Sequence, residues 1–428
     1  MASIEADRAP SAEALRCLRE FPLLDALCGR RSRRFGVGME IPSGPLAFRS
    51  AKPSEPIGAF ERTLLIALGA GVSGWNLGIP HAAHGNADGT CDYAVRPVGR
   101  TYPSGAAVFG SELLITDDSG SYMTAFRELD ATALEGVRDP AALVEHLAPH
   151  IVRLGEERVE VPRRFPHVGS HNHWVANRPG STLFVPISDQ VDTVLNLIWI
   201  YTREGAPILD RRSGRPYGDP SSLLEAGVLI NEHAVPLDVV EAVSLKHTTA
   251  EIAIAANNIQ LALQAIGLGG WLFTGIDAAS LLGAYASDGI RGFGFRFAHH
   301  PTSGELLARG LDGIFEPLAP PYVSDMREGA RRFLERKFGP GGVFDPDRSS
   351  PFRKPLGLKR PAMVADYFLD LVQDIYECNG LFPVTIPAVF AGLYTQAHHI
   401  DIDFYDRYFD SKAYLWTHAQ HKRLWHGS

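Results

Sequence analysis

Residues 249–277 read TAEIAIAANNIQLALQAIGLGGWLFTGID. Ala253, Ala256, Ile259, Leu263 and Ile266 recur at three- and four-residue spacing, which places them on one face of a helix. Thr249, with Glu251 and Ile252 just after it, makes a helix start. The Ala-rich opposite face predicts packing on that side too, against another helix. Gly267, Gly269 and Gly270 then end the helix, because glycine accepts the positive φ of a helix C-cap. Trp271 to Thr274 is a short apolar run closed by Gly275. By pattern alone the plain reading, a core helix with a tight turn, comes first. The functional reading is a glycine turn that delivers bare backbone N–H groups to a flat, polar-edged cofactor.

The bulk composition narrows the field. The chain has 428 residues, enough for a large core in one big domain or two. Hydrophobic residues make up 45% and charged residues 21%, which is globular rather than disordered. A net charge of −8 argues against a nucleic-acid binder or a polybasic membrane protein. Cys17, Cys28, Cys91 and Cys378 form no CxxC pair, which fits a reducing cytoplasm. The start MASIEADRAP has no apolar signal core. The longest apolar run, around Val194 to Tyr201, is broken by Asn196 and is far short of the ~20 residues of a membrane helix.

Residues 1–11 read as a flexible leader. Ser11 caps a helix through Leu15, Leu18, Leu23, Leu24 and Leu27, which Pro22 should break or kink. That segment delivers Arg30, Arg31, Arg33 and Arg34, four arginines in five positions. Arg forks onto phosphate oxygens; the plain alternative is a solvated basic edge. Phe60 to Ala70 is a helix, followed by a turn from Gly71 to Pro80. Strands are expected at Ala106–Ile115 and Ser121–Leu129 around an Asp-Asp-Ser-Gly turn. Thr132 to Leu154 should be helical, Ser181 to Ile187 a strand, and Gly289 to Phe297 a strand with one aromatic face. Two further helices are expected, Asp325 to Phe338 and Met363 to Tyr376.

Histidine is the other chemistry-bearing residue type. His171 and His173 would share one face of a strand, but no Cys or clustered carboxylate completes a ligand set nearby. The tail carries His398, His399, Asp401, Asp403, Asp406, His418, His421 and His426, with His418 and His421 three apart on a helix. Interleaved Phe404, Tyr405, Tyr408, Phe409, Tyr414, Trp416 and Trp425 point instead to an aromatic packing or dimer-wrapping tail. No metal site is therefore expected.

Three stretches in order resemble the nitroreductase-like FMN-dependent flavoprotein superfamily. They are Arg30-Arg31-Ser32-Arg33-Arg34, similar to an RRSxR motif; Val72-Ser73-Gly74-Trp75-Asn76, similar to PSxxN; and the GLG turn with the strand after it. The likeness covers roughly Ala12 to Gly120 and Ser181 to Phe297. It implies an FMN phosphate held by Arg30, Arg31, Ser32 and Arg34, with Arg33 at the variable position. Ser73, Asn76, Thr274 and Gly275 would meet the flavin ring, and Arg353 or Lys354 would return to the phosphate. The pattern departs at Gly78, where members have Gln, at Leu272, where they have Pro, and at Thr274, where many have Glu.

The fold the resemblance implies is α+β: a mostly antiparallel sheet flanked by helices, with a C-terminal helical extension. The flavin domain would span 12–330 and the extension 331–428. Two chains would pair as a homodimer around FMN. The implied activity is hydride transfer through flavin to or from a small organic substrate, with NAD(P)H as reductant. No side chain stands out as a general acid or base. The alternative is a divergent flavin- or ligand-binding protein without redox turnover. Metal-dependent hydrolysis by the tail ranks last.

Overall fold

A computed structural model describes residues 10–77, 92–345 and 361–427. Its central helix runs Leu237–Ile266, 30 residues or ~45 Å. It ends where expected, at Gly267 with φ 91°. Its start is twelve residues earlier than Thr249 (249 − 237). Pro236 stands just before the first turn, and the sequence from Leu237 to Thr248 holds no Gly or Pro to stop a helix. Thr249 does not cap: its Oγ1 donates back to the Leu245 carbonyl at 2.6 Å within the running helix.

The architecture is α+β. The helices that frame it are α1 (Ala12–Glu20), α2 (Leu23–Cys28), α3 (Ala59–Ala70), α4 (Gln190–Arg203), α5 (Leu237–Ile266), α6 (Met326–Phe338), α7 (Ala362–Asn379) and α8 (Trp416–His421). Seven strands make the main sheet: β1 (Ser111–Asp117), β2 (Gly120–Thr124), β3 (Ile151–Gly155), β4 (Ser181–Asp189), β5 (Gly269–Phe273), β6 (Val389–Ala391) and β7 (Tyr394–His398). Their order is β5-β7-β4-β1-β2-β3, every pair antiparallel, with β6 also paired to β4.

Both faces of this sheet are covered. Leu113, Ile115, Phe184 and Ala397 pack with Ile259 and Leu263 of α5 and Leu64 and Leu65 of α3. On the other face Leu114, Leu183, Val185 and Ile187 pack with Trp271, Phe273 and Tyr394. A third cluster joins α4, α6 and α7 through Trp199, Phe333 and Phe368.

The expected helical tail is corrected. Residues 389–391 and 394–398 are strands, and β7 sits inside the sheet between β4 and β5. The sheet therefore crosses the expected boundary at residue 330. YTQAH lacks alternating apolar residues, and two of its polar side chains are held by distant partners instead. Thr395 Oγ1 donates to the Ala256 carbonyl at 3.0 Å, and Gln396 bonds Val175 O and Asn177 N.

Two smaller expectations also change. The helix expected over 132–154 is a helix at Pro140–Leu147 followed by strand β3. Proline starts a helix but does not continue one, and Pro140 and Pro149 bracket this one. The aromatic strand shrinks to Arg296–His299, because Gly292 and Gly294 take positive φ of 53° and 82° and bend the chain around buried Phe293 and Phe295. Other expectations hold. Pro22 separates α1 from α2, Ser11 accepts from Ala14 N–H, and α6 forms, with Asp325 as its cap rather than its first residue.

Lys337 of α6 is fully buried. Its ammonium donates to Asn196 Oδ1 at 2.8 Å and to the Asp92 carbonyl. Burial pulls its pKa from the ordinary 10.5 down to about 7, against an opposing pull from the Asp92 carboxylate. Between those values the unfolded chain binds the extra proton, so this residue makes stability rise with pH from about 7 towards 10.5. Lys337→Met removes that slope. The stability difference, wild type minus variant, should grow between pH 7 and pH 10 in urea titrations. A pH-independent difference would contradict a buried lysine of lowered pKa.

Candidate functional site

The basic segment after α2 is tied to the glycine turn. Arg33 N–H donates to Gly270 O at 3.1 Å, and Gly270 N–H returns to Arg33 O at 2.8 Å. Only glycine fits at position 270: a Cβ there would stand 2.1 Å from the Gln396 carbonyl oxygen, at φ 153°. Arg33 itself is buried. It donates to the Ala413 and Gly29 carbonyls at 2.8 and 3.0 Å and to Gln264 Oε1 at 2.5 Å. Burial lowers its pKa to about 10. The arginine at the variable position is thus the structural one.

The four candidate phosphate ligands stay at the surface. Arg30, Arg31, Ser32 and Arg34 are all exposed. Arg31 donates to the Cys28 and Arg30 carbonyls, and the Arg34 guanidinium lies 5.9 Å from the Trp271 ring centre. No described carboxylate forms an ion pair with Arg30, Arg31 or Arg34. Strand β5 carries the chain from Gly270 to Thr274, ~13 Å at strand rise. Thr274 is exposed. Gly275 O accepts from Gly169 N–H at 2.9 Å, and a Cβ on Gly275 would stand 2.0 Å from Asn172 Nδ2. The His171–Trp174 stretch therefore packs over Gly275. His171 and His173 do not share a strand face. The chain forms a 3-10 turn there, and His173 Nε2 meets the Val168 carbonyl at 3.1 Å.

Ser73 and Asn76 lie elsewhere. Val72–Trp75 pairs with Val98–Arg100 in a two-stranded ribbon. Ser73 Oγ donates to Arg100 O at 3.1 Å, and Asn76 Nδ2 to Arg96 O at 3.4 Å. No hydrogen bond or ring contact joins either residue to Arg30–Arg34 or to Gly275. Gly78, Arg353 and Lys354 lie outside the described residues. Two cavities of ≈ 660 and ≈ 690 Å³ open elsewhere, the first against Arg211, Arg215 and His300, the second against Arg127, Glu128 and Arg336. Neither takes a wall from the expected cofactor residues.

A second constellation was not expected. Glu61 in the first turn of α3, His399 just past β7, His421 at the end of α8 and His426 in the π turn after it converge. One donor atom from each lies within 4.8 Å of the others. Glu61 Oε1 is 3.3 Å from His421 Nε2 and 3.5 Å from His426 Nε2. The three imidazole ring centres are 5.1 to 5.2 Å apart. Burial lowers the pKa of His399 to about 3 and moves His421 in the same direction. The three histidines are among the eight metal-capable residues of the tail, whereas Glu61 stands far from them in sequence, in the apolar run of α3. His418, three residues before His421, is not in the set: burial and the nearby Arg33 charge hold it well below the usual imidazole range, and its Nδ1 faces Leu415 N–H.

No family model matches the chain, and no curated protein matches it. Among solved structures, a Ralstonia eutropha JMP134 protein provisionally described as a nitroreductase superposes with a TM-score of 0.27 at 12% identity, over 60% of this chain and 71% of that one. A likeness that low does not establish a shared fold. No described helix is long and apolar enough to cross a membrane.

Proposed function

We propose that the chain is an FMN-dependent oxidoreductase that lays the cofactor along β5, phosphate at Arg30–Arg34 and ring at Thr274–Gly275. The observation that carries the reading is the backbone pairing of Arg33 with Gly270, which holds the basic motif against the glycine turn. Around it, three exposed guanidiniums lack carboxylate partners, as an anion site needs. The Gly275 N–H donates to no described group. FMN when bound supplies hydride transfer between NAD(P)H and a small organic substrate; the chain binds and orients it. Ser73 and Asn76, set apart from β5, would reach the ring from a second copy of the chain in a homodimer. Thr274 leaves no carboxylate at the ring edge, so the backbone carries the hydrogen bonding there.

The visible spectrum of untagged protein should show a bound flavin that releases as FMN, about one per chain. Arg30→Ala with Arg34→Ala should abolish flavin retention while the far-ultraviolet dichroism stays unchanged. Full flavin content in that variant would remove the phosphate assignment. Anaerobic NADH or NADPH should bleach the flavin. Failure of both would leave flavin binding without nicotinamide-driven turnover.

A further inference from the structure

Glu61, His399, His421 and His426 converge on one largely buried point. In each residue one polar atom is buried and unpartnered: Glu61 Oε1, His399 Nδ1, His421 Nε2 and His426 Nε2. In three of them the opposite atom is held by backbone. Glu61 Oε2 accepts from Gly58 N–H at 3.0 Å, His421 Nδ1 meets the Ile266 carbonyl at 3.0 Å, and His399 Nε2 meets the Pro56 carbonyl at 3.3 Å. A carbonyl only accepts, so those two nitrogens carry the imidazole protons. In the neutral imidazoles the free nitrogens, His399 Nδ1 and His421 Nε2, present lone pairs. Facing a carboxylate oxygen at 3.3 Å, such a lone pair needs a positive charge between the two, a proton or a metal ion.

We propose that this cluster binds one divalent transition metal, zinc by ligand type, as a closed structural site. Three imidazoles and one carboxylate are the ligand chemistry of zinc. A tetrahedral site with bonds of ~2.0–2.2 Å has ligand–ligand edges of about 3.3–3.6 Å. The Glu61 contacts to His421 and His426, 3.3 and 3.5 Å, already match those edges. The backbone carbonyls on the outer nitrogens are the second shell that fixes ring orientation and tautomer at metal-ligating histidines. With four protein ligands no position is left open for a substrate or water, so the site is not catalytic. Its work is mechanical: it fastens the last helical segment and the exit of β7 onto the start of α3. The charged groups around it are Glu55 and Lys422, which pair with each other at its rim. The inference is independent of the flavin reading.

The test uses full-length protein without a histidine tag, stripped with a chelator and titrated with zinc alone. Elemental analysis should find about one zinc per chain, and cobalt substitution should give the intense visible bands of tetrahedral coordination. Zinc should raise the melting temperature of wild type but not of His421→Ala. His426→Ala, at the less buried position, serves as the second variant should His421→Ala fail to fold, and should lose zinc affinity at least about tenfold. Wild type that takes up no zinc and shows no zinc-dependent melting shift overturns the proposal. So does a variant that binds zinc as tightly as wild type. Metal content is read independently of colour, so a flavin-free protein that holds zinc sinks only the flavin reading.

Discussion

Asp192→Ala should destabilise the fold by about 3–5 kcal/mol, the cost of leaving a buried charge without its partner. Asp192, in the first turn of α4, is fully buried and 2.6 Å from the guanidinium of Arg96, which is 1% exposed. Its other carboxylate oxygen lies 2.6 Å from Arg336. Burial alone would raise the Asp192 pKa, but Arg336 and Arg96 beside it hold it far below the usual carboxylate range. Its pairing therefore stabilises above the ordinary value of 3.8 and is lost as pH falls below it. Truncation strands Arg96, whose remaining partners are the Val108 carbonyl and the more exposed Glu128. Urea unfolding midpoints of wild type and Asp192→Ala give the number. The double variant Arg96→Met with Asp192→Leu should recover most of the loss, since an apolar pair of similar volume avoids burying charge. A single-variant cost below about 1 kcal/mol would mean that water reaches the Arg96 guanidinium.

That network joins Arg96, Glu128, Asp192 and Arg336 from four separate chain segments, and no local pattern announces it. The same holds for much of the site. Elements with a local cause were legible: α1 and α2 divided at Pro22, α3 as an apolar run, α6 as an amphipathic helix, and the stop of α5 at Gly267. β4 was legible because it is buried on both faces and reads as a short apolar run. β7 was not, because YTQAH is polar and is held by long-range bonds to Ala256, Val175 and Asn177. The metal-type cluster was illegible for a related reason. Glu61 and His399 are 338 residues apart (399 − 61), and His421 and His426 are separated by five, which an ordinary helix would point apart. The wider π turn at Lys422–His426 brings them round. The basic motif was legible as a run of arginines, but the buried member was not. Only the fold shows that Arg33 turns inward while Arg30, Arg31 and Arg34 face solvent.

A chain ending at residue 386 should not fold. If the tail were an accessory extension, residues 12–330 would hold the flavin domain and tolerate the loss. The sheet argues otherwise. β7 pairs with β5 along five residues and with β4 along four, so its removal cuts β5 out of the sheet and bares an edge of β4. The unpaired groups would face an apolar interior, with Trp271 and Phe273 on one side and Leu263 on the other. The same deletion removes Val389, Tyr394, Phe404, Tyr405, Leu424 and Trp425, all buried. At 1.5–3 kcal/mol for each buried side chain these six contribute about 9–18 kcal/mol. That matches or exceeds the ~5–15 kcal/mol that holds an ordinary domain together. The tail also closes onto the chain start: Ser11 Oγ donates to the Leu424 carbonyl at 2.7 Å, and Thr417 Oγ1 to the Gln264 carbonyl at the end of α5. The truncated chain should be insoluble or lack a cooperative thermal transition by calorimetry. A soluble, monodisperse product that unfolds in one sharp transition would restore residues 12–330 as a self-sufficient unit and make β7 a late addition to a sheet already stable without it.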